Sequence, residues 1–125
     1  MTRVLVVEDE ESFSDALSYM LRKEGFEVAV CPTGPDALDT FDRSGADLVL
    51  LDLMLPGRDG IDVLRELKSS EITRAIPVMV VSGKESQEQV QQAMMAGAID
   101  YVIKPFEPME LGARIRAFLD SLKKV

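Results

Sequence analysis

A handful of polar residues stand where apolar runs stop. Glu8 and Asp9 follow Arg3-Val4-Leu5-Val6-Val7, and Asp52 follows Leu48-Val49-Leu50-Leu51. Ser82 follows Val78-Met79-Val80-Val81, and Lys104 follows Tyr101-Val102-Ile103. A carboxylate inside an apolar strand is costly to bury. At the last position of a strand it can face a crevice while the strand stays dry. If these strand ends share one edge, the acids, the hydroxyl and the lysine converge there. Crowded acids raise one another's pKa, and a divalent cation relieves the repulsion. With oxygen donors, no histidine and Cys31 as the sole cysteine, the cation is a hard one, Mg2+ or Mn2+. Mg2+ binds through few carboxylates and keeps several waters, which leaves room for a phosphate oxygen. Lys104 adds a positive charge and Ser82 a hydrogen-bond donor. The implied ligand is a phosphoryl group, and the implied nucleophile is Asp52.

Each of these residues alone has a plainer reading. The acids Glu8 to Glu11 suit a helix N-terminus. Asp52 suits a helix or loop cap, serine commonly ends a strand, and a single lysine is usually solvated. Tyr101 suits a half-buried strand position, and the Met94-Met95 pair suits a core. What outweighs these readings is their conjunction, each polar residue closing a different strand.

The elements that position them follow from periodicity. Arg3 to Val7, Asp47 to Asp52 and Val78 to Val81 are apolar without alternation, as in strands covered on both faces. Glu27 to Cys31 and Ile99 to Ile103 are shorter strands. Phe13, Ala16, Leu17, Met20 and Leu21 recur at helical spacing and predict a helix over 11–24, with Gly25 where a C-cap belongs. Thr33-Gly34-Pro35 opens a second helix, with Pro35 at its first position and Ala37, Leu38 and Phe41 as its stripe. Pro56-Gly57-Arg58-Asp59-Gly60 reads as a loop. A third helix carries Ile61, Val63, Leu64 and Leu67. A fourth spans about 86–96 before Gly97, with Val90, Ala93 and Met94 inward. The last starts near Pro108 and buries Leu111, Ile115, Phe118, Leu119 and Leu122. Five strands alternating with five helices make an α/β fold, a parallel sheet sandwiched by helices with right-handed crossovers. In such sheets the working site lies beyond the carboxyl ends of the strands, where strand order reverses.

Size and charge narrow the function classes. A chain of 125 residues fits one domain, 1–125, able to bury a real core. Apolar residues make up 46% and charged ones 29%, an ordinary globular mixture. No apolar run reaches membrane-spanning length, and no signal-like opening is present. One cysteine allows no internal disulfide, so the expected compartment is the cytoplasm. The net charge of −8 argues against nucleic-acid binding by this chain.

Several segments resemble the receiver domains of two-component response regulators. They are Val6-Val7-Glu8-Asp9-Glu10, Leu50 to Gly57, Asp59-Gly60, Val80-Val81-Ser82-Gly83 and Gly97 to Phe106, and the resemblance covers essentially the whole chain. It implies a flavodoxin-like, doubly wound (βα)5 sheet of strand order 2-1-3-4-5. It implies that Asp52 accepts the phosphoryl group and that Glu8 and Asp9 hold Mg2+, with the main-chain carbonyl of Met54 completing the protein ligands. Ser82 then binds the phosphoryl group, Lys104 pairs with its oxygens, and the peptide before Pro105 is cis. Tyr101 turns inward as Ser82 is drawn to the phosphate, and the surface of the fourth helix, fifth strand and fifth helix changes. The donor is a sensor histidine kinase or phosphotransfer protein. Such a domain catalyses its own phosphorylation and dephosphorylation without being a turnover enzyme.

The first half most resembles receivers joined to winged-helix DNA-binding domains. In that branch the last face named carries charges that pair across a homodimer, for which Asp100, Glu110, Arg114 and Arg116 are available. Val90, Met95 and Ile99 stand where that branch often has charges. Ile99 therefore reads as part of a more apolar partner face, and Met94 as core.

Other classes fit less well. A receiver-fold interaction module that does not switch by phosphate would not need the intact set Glu8, Asp9, Asp52, Ser82 and Lys104. A haloacid-dehalogenase-type phosphatase would have an aspartate where Met54 stands. A flavodoxin-like redox protein needs a phosphate-cradling loop after the first strand, and Glu8-Asp9-Glu10-Glu11 would repel a flavin phosphate. The purified protein is therefore expected to be colourless; a visible flavin absorption band would restore the redox reading.

Overall fold

The computed structural model describes residues 2–32, 45–55, 58–83, 86–104 and 107–122. Five strands form one sheet: Arg3–Val7 (β1), Glu27–Cys31 (β2), Leu48–Leu51 (β3), Val78–Ser82 (β4) and Asp100–Ile103 (β5). Every pairing is parallel and the order is β2-β1-β3-β4-β5. The described helices are Glu11–Lys23 (α1), Gly60–Ser69 (α2), Gln87–Met95 (α3) and Pro108–Leu122 (α4). The helix expected to begin at Pro35 lies outside the described residues. So α3 and α4 are the fourth and fifth helices of the sequence count.

The central strands β1, β3 and β4 are almost wholly apolar because both of their faces are covered. On one face Leu5, Val7, Val49, Leu51, Val78 and Val80 pack with Ile61, Leu64 and Leu67 of α2 and Ala93 of α3. On the other, Val4, Val6, Leu48, Leu50, Met79 and Val81 pack with Leu17 and Leu21 of α1 and Leu111 and Ile115 of α4. The period-two alternation of a strand divides one continuous apolar run between two cores.

Helix ends follow local chemistry. At the end of α1, Gly25 has φ +95, its N–H donates to Arg22 O at 3.0 Å, and Phe26 N–H donates to Leu21 O at 3.0 Å. That is a Schellman closure, and the Phe26–Leu21 pairing joins one core cluster. Gly97, with φ +112, closes α3 in the same way onto Met94 O and Ala93 O. Ser86 caps α3 through its hydroxyl, and Asp59 caps α2 by accepting from Ile61 N–H at 2.9 Å.

Several expectations shift. The buried face of α1 is Ser14, Leu17, Ser18 and Leu21, with Phe13 and Met20 half-buried at its edge and Ala16 exposed. The i, i+3, i+4, i+7 geometry selects the serines, whose small size lets them face inward. Met94, expected in the core, is 44% exposed, because Ala93 alone is buried in α3. Ile99, expected on a partner face, is half-buried against the α1–α4 cluster. After β3, Met54–Leu55 pairs antiparallel with Arg58–Asp59, two of the residues read as loop.

That ribbon sits close to Asp52, and Gly60 holds it in. Gly60 N–H donates to Leu53 O at 3.0 Å, and a Cβ at position 60 would collide with the Leu53 backbone, whose carbonyl carbon is 2.8 Å from it. Backbone cannot swing aside as a side chain can. Gly60→Ala is expected to cost about 1–3 kcal/mol of stability. Urea unfolding would show it as a lower midpoint at unchanged slope; a wild-type midpoint would mean that the Leu53 backbone yields freely.

Candidate functional site

Strand register builds the site. Val7 lies level with Leu51 and with Cys31, so the first residues beyond these strands fall side by side. Asp52 N–H donates to Val7 O and Glu8 N–H to Cys31 O, each at 3.0 Å. The backbone pairing thus continues one residue past the strands and fixes both acids. At the other side, Ser82 is level with Ile103, and Lys104 N–H donates to Ser82 O at 2.8 Å. The reversal of strand order falls between β1 and β3, where such folds place their sites.

The side chains then meet. Lys104 Nζ lies 2.6 Å from Glu8 Oε1 and 3.2 Å from Asp52 Oδ2. Glu8 Oε2 accepts from Glu10 N–H at 3.2 Å, and Asp52 Oδ1 from Met54 N–H at 2.9 Å. Glu8 and Asp52 are buried, at 3% and 6% exposure, whereas Asp9 is exposed at the rim. Ligand oxygens of Glu8, Asp9 and Asp52 all lie within 4.8 Å of one another. A cleft of about 390 Å³ opens onto them, lined by Glu8, Asp9, Glu10, Asp52, Met54, Gly83 and Lys104.

Burial, then the hydrogen bond and charge of Asp52, push the Glu8 carboxyl up to about 7 against the lowering pull of Lys104. Burial works to lower the Lys104 ammonium, but the hydrogen bond and charge of Glu8 and the charge of Asp52 outweigh it and raise the pKa. The pocket is therefore short of positive charge: one ammonium serves two buried acids. Clustered hard oxygen donors lacking a counter-charge are what a divalent cation fits.

Of the residues singled out from sequence, Glu8, Asp9, Asp52 and Lys104 converge directly. Met54 lines the cleft. Ser82 is fully buried and joins the site through its backbone, while Gly83 lines the cleft beside it. Tyr101 is half-buried in β5, level with Val80 and packed against the α2–α3 cluster. Pro105 lies outside the described residues. Sequence reasoning left unassigned the ring of Phe13, whose centroid is 4.0 Å from Lys104 Nζ. Its helical spacing marked it as apolar, and nothing local could pair it with a residue so far along the chain. On the face made by α3, β5 and α4, Arg114 pairs within the chain with Asp100 at 3.2 Å and Glu110 at 3.4 Å. Arg116, expected on that face, reaches instead to α1, where it donates to Glu24 O at 2.6 Å. The helical turn between positions 114 and 116 points the two side chains apart.

Residues 4–116 match the response regulator receiver domain family. The chain belongs to that family. It is 52% identical over 119 residues to the sensory transduction protein RegX3 of Mycobacterium tuberculosis, covering 95% of this chain and 51% of the relative. It is 45% identical over 117 residues to the DNA-binding response regulator MtrA of Mycolicibacterium smegmatis, covering 94% and 50%. A DNA-binding relative is in keeping with the branch that the first half resembles. Among solved structures, the BeF3-activated N-terminal receiver domain of Klebsiella pneumoniae RstA superposes with a TM-score of 0.83 at 32% identity, over 93% of this chain and 97% of that one. The receiver domain spans about half the length of the curated relatives it matches. Among the described residues, no helix is long and apolar enough to cross a membrane.

The Glu8 shift fixes a pH dependence. Its folded value of about 7 lies above the ordinary 4.5. Between these values the native chain holds a proton that the unfolded chain releases, so this group's contribution to stability falls as pH rises. Glu8→Gln removes the titration. In metal-free buffer the melting temperature of Glu8→Gln relative to wild type is expected to climb as pH rises from about 5 to about 8. Added Mg2+ is expected to reverse part of the gap by stabilising wild type more than Glu8→Gln. A pH-independent difference would count against the shift.

Proposed function

We propose that Asp52 is the phosphoacceptor of this receiver domain and that Glu8, Asp9 and Asp52, with the main-chain carbonyl of Met54, hold Mg2+, or Mn2+ in its place. The observation that carries this reading is the single Lys104 ammonium bridging buried Glu8 and Asp52, with Asp9 beside them at the mouth of the cleft. A bound divalent cation would supply the positive charge that the acidic cluster lacks. In the reaction an Asp52 carboxylate oxygen attacks the phosphorus of a phosphohistidine on a sensor kinase or phosphotransfer protein. The O–P bond forms as the N–P bond breaks, and the departing imidazole keeps the electron pair. Lys104, already within 3.2 Å of Asp52 Oδ2, neutralises charge on the phosphoryl oxygens. Met54 N–H holds Asp52 Oδ1 and so fixes the plane of the attacking carboxylate. Catalysis of this kind is positioning and electrostatics. Hydrolysis of the acyl phosphate restores Asp52, so the chain is a self-phosphorylating switch in the cytoplasm and not a turnover enzyme.

The switch reading rests on β4 and β5. Ser82 ends β4 beside the site, and its carbonyl holds the Lys104 amide. A pull on the Ser82 hydroxyl would be communicated to β5, where Tyr101 is half-buried and level with Val80. The surface that would report the change is α3, β5 and α4, which exposes Met94 at 44% and Met95 at 88%. This face is the proposed homodimer surface. The net charge of −8 disfavours direct nucleic-acid contact by this chain.

Incubation with Mg2+ and a small phosphodonor such as acetyl phosphate is expected to add the mass of one phosphoryl group. Asp52→Asn is expected to abolish that gain. No gain in wild type, or labelling that survives in Asp52→Asn, would refute the assignment and leave a receiver-fold interaction module.

A further inference from the structure

We propose that Phe13 is a positioning residue whose ring holds the Lys104 ammonium against the phosphoacceptor carboxylate; this rests on the reading of Asp52 as that acceptor. Lys104 is otherwise poorly suited to precise work. Its charge sits at the end of a flexible four-carbon stem. Two of its contacts are ionic, to Glu8 Oε1 at 2.6 Å and Asp52 Oδ2 at 3.2 Å. Both contacts are to groups that change during the reaction, since Asp52 becomes an acyl phosphate and Glu8 is a candidate metal ligand. The Phe13 ring does not change. Its centroid lies 4.0 Å from Nζ, well inside cation–π range.

The ring is itself well anchored. Phe13 is half-buried at the edge of the cluster formed by α1, α4 and the sheet. It sits in the first turn of α1, the helix that starts just after Glu8, and Glu10 N–H holds Glu8 Oε2. One short segment therefore places both an acidic partner of Lys104 and the apolar wall behind it. The lysine side chain is only 19% exposed, so water competes weakly with the ring. A leucine would fill similar space without the negative face of an aromatic ring. The ring keeps the ammonium directed at the acceptor while its ionic partners are being exchanged.

The test is a double-mutant cycle read by the initial rate of labelling with acetyl phosphate in saturating Mg2+. Phe13→Leu is expected to slow labelling about 3- to 10-fold, the range of a partly desolvated cation–π contact. Phe13→Tyr, which keeps the ring, is expected to stay close to wild type. In a Lys104→Met background, Phe13→Leu is expected to have no further effect. In parallel, the ring current should displace the Lys104 side-chain methylene resonances in wild type and Phe13→Tyr but not in Phe13→Leu. A wild-type rate in Phe13→Leu, or an equal loss in the Lys104→Met background, would overturn the proposal and leave Phe13 a packing residue. If wild type itself takes no label, the positioning role fails together with the phosphoacceptor reading. A surviving ring-current shift would then show that the fault lies in that reading and not in the contact.

Discussion

One ammonium between two buried carboxylates is the interaction on which the rest of this receiver domain depends. Glu8 and Asp52 are nearly inaccessible, yet both face the same cleft. Two such acids left alone would repel, and removing one partner of a buried pair is strongly destabilising. Lys104 reaches both and is raised in pKa for doing so. Burial, and then the neighbouring Asp52, still hold the Glu8 carboxyl up, at about 7. The clustered oxygens of Glu8, Asp9 and Asp52 are donors of the kind that would suit a divalent cation.

That charge arrangement needs a rigid frame, which the sheet supplies. The register of β1 against β2 and β3 carries backbone hydrogen bonds one residue past the strands, to Glu8 and Asp52. The acids are held by main chain as well as by side-chain partners. Beyond Asp52, the Leu53 backbone is clasped by Gly60, and Met54 returns as one half of a short ribbon. On the far side, the Ser82 carbonyl holds Lys104. Every element that touches the cleft is therefore tied to a strand or a helix end. A small change at Asp52 would have stiff paths along which to travel, toward β5.

The chain spans about half the length of its curated relatives, one of them a DNA-binding regulator. An acidic domain with exposed methionines on α3 suits a module that works through protein contacts. The pairing of Arg114 with Asp100 and Glu110 leaves those charges satisfied within the chain. Contacts across the α3–β5–α4 face would then lean on Met94 and Met95 more than on salt bridges.

The amino-acid order alone determined the architecture and nominated the residues of the candidate site. Short uninterrupted apolar runs such as Leu48–Leu51, alternating with helical patterns, point to strands covered on both faces, and Gly25 and Gly97 mark helix ends by the positive φ that they supply. Glu8, Asp9, Asp52, Ser82 and Lys104 were legible because each breaks an apolar run at its end, a local signal. What stayed hidden was whatever depends on the third dimension. Ala16 and Ser14 are alike in size, so hydropathy favoured the wrong one for the buried face of α1. Met94 stands exposed because the short helix α3 buries only the small Ala93, and Ile99 lies half-buried against the α1–α4 cluster. Arg116 turned to α1 because a helix sends neighbouring residues to different faces. Above all, Lys104 and Glu8 stand 96 positions apart, and the Phe13 ring beside them announces nothing in its own segment. Composition and spacing can nominate charges for a site, but only strand register decides which carboxylate a given ammonium can reach.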